Sequence, residues 1–151
     1  MKVVRIVFQF VVGLVFGLLA TLSLSPLLAS LPSEIGTASG FGVVVIVGLA
    51  AALAPNIRRA LGRSFLLLGV SVFMLPISTM LLSGVVTHET VEAAGSADKD
   101  LTAAAGILAG GAMTAFAGFI GFILGTILLV IGLVLSLGGR REVIVVENRD
   151  K

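Results

Sequence analysis

Charged and polar positions divide this chain into long blocks. Four stretches carry no Asp, Glu, Lys, Arg or His: Ile6–Ser33, Ile35–Ile57, Ser64–Thr87 and Leu101–Gly139. Each is longer than the ~20 apolar residues that cross a bilayer core as a helix. The pattern predicts an all-α membrane protein with four transmembrane helices over about 6–30, 38–56, 64–86 and 101–138. Residues 1–139 then form the transmembrane domain and 140–151 a short tail. As one helix the last stretch is about 58 Å long, far beyond a ~30 Å core. Cutting it in two would place Arg140 and Arg141 on the wrong side, so one long, Gly-rich fourth helix is expected.

The charges between the blocks predict orientation. Short connections obey the positive-inside rule. With a cytoplasmic N-terminus, the inner segments hold Lys2, Arg5, Arg58, Arg59, Arg63, Arg140, Arg141, Arg149 and Lys151, nine of the 10 basic residues. The outer segments hold Lys99 and five of the 8 acids: Glu34, Glu89, Glu92, Asp98 and Asp100. The expected topology is an antiparallel up-down-up-down bundle with both termini cytoplasmic. Met1–Ala20 has the basic start and apolar run of a signal sequence. Its best cleavage candidate, Ser23-Leu24-Ser25, is followed by Pro26, so this segment is expected to remain as a signal anchor.

In lipid, helices approach through small residues. Gly13, Gly17, Thr21 and Ser25 recur every four positions, and Gly111, Gly118, Gly125, Gly132 and Gly139 every seven. Gly13, Gly17, Gly111, Gly118, Gly125 and Gly132 are therefore the candidate packing or partner residues. Two further ladders, Gly106-Gly110-Thr114-Gly118 and Ala117-Gly121-Gly125, imply neighbours on more than one side of the fourth helix. Pro76 interrupts the third span and deprives the Val72 carbonyl of its usual donor. Ser71, Ser78 and Thr79 stand close by in sequence.

Composition changes the picture mainly by exclusion. The chain of 151 residues is 58% hydrophobic with a mean hydropathy of +1.19, which leaves no room for a separate soluble domain of usual size. A net charge of +2, explained by topology, gives no reason to expect nucleic acid as a partner. The expected partners are the lipid bilayer and other membrane subunits or copies of itself. With no Cys, there is no thiolate chemistry, Fe–S cluster or Cys-type zinc site. No ionisable residue lies inside a span, which argues against proton relays and ion-coupled carriers. The single His, His88, stands four residues before Glu92 in an acidic outer loop, too few ligands for a closed metal site within one chain. No catalytic residue, cofactor or metal is assigned, and the chain is expected not to be an enzyme.

Two smaller features have candidate roles. Arg58, Arg59 and Arg63 are placed to meet anionic lipid headgroups. The β-branched run Val143, Ile144, Val145 and Val146 within 142–147 reads as a strand that needs a partner. The function expected is that of a small accessory or scaffold subunit in a membrane complex or homo-oligomer. The alternative is a homo-oligomeric pore lined by the fourth helix, with Phe116, Phe119 and Phe122 as an apolar constriction. Short loops and the retained anchor suggest a prokaryotic inner membrane.

Overall fold

The computed structural model describes residues 2–94 and 98–137. Its elements are α1 (Lys2–Ser23), α2 (Ser25–Ala29), α3 (Ser33–Ala52), α4 (Ile57–Phe73), α5 (Leu75–Ala93) and α6 (Lys99–Leu137). No strand occurs among the described residues. The 142–147 segment lies outside them. Four elements are long and apolar enough to cross a membrane: α1, α3, α4–α5 taken together, and α6, with mean hydropathies of 2.4, 2.0, 2.3 and 2.7.

Prolines set the helix ends and breaks. Pro32 is the N-cap residue of α3. Pro55 ends the chain's first half, because the residue before a proline disfavours helix. Pro26 and Pro76 each occupy an early position of a helix, where the missing N–H costs least. Consequently α1 stops at Leu24 and α4 at Met74, each a single-residue break (φ −86°, ψ 1° and φ −80°, ψ −7°). Beyond the first break the backbone resumes helix as α2. Backbone N–H groups at the second break reach the carbonyls of Val70, Ser71 and Val72. The local turn tightens and Val72 keeps a donor, so the third span kinks with few groups left unsatisfied.

Helix α6 forms as one element of 39 residues, about 58 Å long. It packs along both α4 and α5. The contacts pair Gly132 with Leu66, Gly125 with Phe73, Gly121 with Val72, Gly110 with Ser83 and Gly106 with Thr87. In the first half α1 packs on α3, pairing Gly13 with Gly48, Gly17 with Val44 and Thr21 with Gly40. The halves join mainly through α1 and α4, with further contact of α2 with α5 and of α3 with α4. Ala20, Leu68 and Val72 form the joining cluster, with Phe16, Val43, Leu75 and Leu128 around it. Phe16 meets Phe65 edge to face at 4.8 Å. Ala51, Ala54 and Ala60 close the α3–α4 turn.

These pairings place Phe16 level with Phe65, and Thr79 about level with the end of α2. The remainder of α5, with the facing part of α6, extends about 20 Å beyond the α1–α3 pair.

Candidate functional site

The candidate packing glycines divide into two groups. A Cβ on Gly13 would lie 2.8 Å from the Gly48 Cα, and one on Gly17 2.9 Å from the Val44 Cα. A Cβ on Gly132 would lie 2.7 Å from the Leu66 nitrogen, and one on Gly125 3.1 Å from the Phe73 nitrogen. These four hold backbones together within the chain. Gly118 faces only Pro76 Cβ, at 3.6 Å, and Gly111 faces open space. Thus the seven-residue stripe is an internal contact toward the C-terminal end of α6 and a free surface toward its N-terminal end.

A different spacing carries the internal contact. Gly110, Gly121 and Gly132 are buried and recur every eleven residues, with Gly125 beside them. Eleven residues in three turns is nearly the natural pitch of a straight α-helix, whereas a seven-residue spacing drifts ~20° per repeat. Gly62 and Gly69 complete the contact from α4: their Cβ positions fall 2.6 Å from the Ser136 nitrogen and 2.9 Å from the Leu129 nitrogen. Neither glycine belongs to a ladder in the sequence, and only the pairing with α6 brings them out.

A groove of about 800 Å³ lies between the C-terminal part of α5 and the N-terminal part of α6. Its lining includes Gly84 and Gly111, where an added Cβ meets nothing within 4 Å, and one end carries His88 and Glu92. The His88 Nδ1 and Glu92 Oε1 atoms lie 3.6 Å apart on an exposed face. An exposed pair of this kind contributes little. Among the described residues no three His, Cys, Asp or Glu side chains gather as a metal site would require.

Arg63 donates from Nη1 to the Ala50 carbonyl at 3.3 Å. It thereby satisfies a carbonyl in the last turn of α3, where a cation also complements the helix dipole. Arg58 and Arg59 stand on the first turn of α4. At the same end Gln9 on α1 is 1% exposed and donates from Nε2 to the Ala54 carbonyl at 3.3 Å. That bond ties α1 to the chain just before Pro55, where no following helical N–H is available.

No known protein family, curated protein or solved structure matches this chain. The four apolar helices mark out a helical membrane protein.

Proposed function

We propose that this chain is a small integral membrane subunit, accessory or scaffold in role, that packs into a larger membrane complex or a homo-oligomer through small-residue helix faces. The proposed topology is up-down-up-down and antiparallel, with both termini cytoplasmic, in a prokaryotic inner membrane. The distribution of basic residues supports that orientation.

The observation that carries the assembly reading is the outer α5–α6 groove. Gly84 and Gly111 give backbone-close access there, and none of the described residues fills it. Small residues promote helix association in lipid when a neighbour reaches them. Leu101, Ile107, Leu108 and Met113, on the same outer part of α6, are about 70% exposed. Replacing Gly84 and Gly111 by Leu fills the groove without touching the internal contacts. Blue-native electrophoresis of gently extracted membranes should then show loss of a higher-mass species that the wild type forms. An unchanged mass pattern would remove this reading.

A second reading is a homo-oligomeric pore lined by α6. Phe116, Phe119 and Phe122 lie outward at 69%, 68% and 62% exposure and suit an apolar constriction between copies. Planar-bilayer recording separates the two readings: conductance that Phe119→Ala alters supports a pore, and silence opposes it.

A further inference from the structure

The polar side chains buried among the described residues do not scatter. Gln9, Ser64, Ser71 and Ser78 are the buried ones, and all lie on α1, α4 or α5. Ser64, Ser71 and Ser78 recur every seven residues, so they share one face of the α4–α5 run. Leu68 and Leu75, four residues after Ser64 and Ser71, pack with Ala20 and Phe16 of α1. That face therefore meets the first half of the chain. On α1 the spacing is answered by Gln9, Phe16 and Ser23, again every seven residues, with Ala20 four beyond Phe16. The two halves thus join through a heptad seam in which Phe16, Ala20, Leu68, Val72 and Leu75 are apolar members and Gln9, Ser23, Ser64, Ser71 and Ser78 polar ones.

These polar groups keep hydrogen-bonding capacity. Gln9 Oε1, Ser64 Oγ and Ser23 Oγ are buried with no hydrogen-bond partner among the described residues. Gln9 and Ser64 are each only 1% exposed. Ser71 and Ser78 donate to the carbonyls of Leu67 and Met74, both at 2.9 Å, which leaves their oxygens free to accept. Buried polar atoms without partners are rare and call for an explanation such as a bound water. The seam also passes both helix breaks. Leu24 and Met74 have nearly the same backbone angles, and each precedes a helix with proline in its first turn. Matching interruptions in the two halves of a membrane protein point to a binding site between them. From the level of Gln9 to Ser78 the row covers about 30 Å, the thickness of a bilayer core.

We propose that this seam is a hydration track: a row of sites for water, or another small uncharged hydrogen-bonding solute, through the apolar interior between the two halves. No ionisable side chain lies along it, since Ile6–Ser33 and Ser64–Thr87 contain none. The row therefore suits uncharged species and offers an ion no counter-charge. This inference is independent of the assembly reading, because every residue in it lies inside one chain.

The chain has no cysteine, so single Ser→Cys variants report cleanly. Cys differs from Ser by one atom, which keeps the packing. A thiol reacts as its thiolate, which forms in water and is suppressed in apolar surroundings. Full-length S64C, S71C and S78C in sealed membrane vesicles are treated with a small water-borne methanethiosulfonate reagent. Lipid-facing controls are V70C and I131C, at positions 48% and 40% exposed at similar depth. The track predicts modification of the seam cysteines at least about tenfold faster than of the controls. Any of the three that misassembles, as judged by its elution on gel filtration, is set aside, and the others decide. Rates no faster than the controls overturn the proposal.

Discussion

At the residue scale, the chain's glycines act according to what stands opposite them. A Cβ on Gly62 or Gly132 would press into backbone within 2.7 Å, with no flexible side chain to yield. Overpacking of that kind costs about 1–3 kcal/mol. Gly62→Ala and Gly132→Ala should therefore lower the midpoint of thermal unfolding in mild detergent. Gly111→Ala should be neutral or stabilising by up to about 1 kcal/mol, because alanine favours helix and none of the described residues obstructs it. A loss at Gly111 equal to that at Gly132 would show that the open face is occupied in the protein as extracted. Gln9→Leu gives up one interhelical hydrogen bond of 3.3 Å, and such bonds average about 0.6 kcal/mol in membrane proteins. Its expected destabilisation is below about 1 kcal/mol by the same unfolding measurement.

At the scale of elements, the helices and their breaks were largely legible, and the pairing of faces was not. Charge-free runs locate spans because an unpaired charge in lipid is expensive, and the long fourth helix follows from the uncharged run Leu101–Gly139. Pro76 announced the kink, although the break at Met74 falls before the proline and leaves Val72 with a donor. The glycine ladders showed which helix faces were smooth. They did not show which would be used, since a helix presents every spacing at once. The neighbour selects the spacing that follows its own pitch, which here is eleven residues at Gly110, Gly121 and Gly132. The seven-residue recurrence of Ser64, Ser71 and Ser78 went unread for a related reason: three hydroxyls become a seam only when α1 brings Gln9 and Ser23 to the same face. A dynamic consequence follows from the unequal burial of α4 and α5. Among the described residues Ser78 is the only buried one on α5, whereas α4 has seven, so the amides of α5 beyond Thr79 should exchange hydrogen faster than those of α4. Hydrogen-exchange mass spectrometry of the protein in lipid nanodiscs reads this directly. Uniform strong protection along α5 would mean that something covers its outer part.

At the scale of the whole molecule, the account joins an orientation to a surface. Cysteines placed singly at Ser33 and Asp98 should react with an impermeant label on intact cells, and one at Asn56 only after permeabilisation. The reverse pattern would invert the topology argued from the basic residues. The central claim is that the chain works inside an assembly. Native mass spectrometry of the tagged protein, gently extracted from its own membranes, tests it most directly. The account predicts a mass above 15.4 kDa, either a complex with identifiable companions or an integral number of copies. A bare monomer, with its bound lipids accounted for, would contradict it.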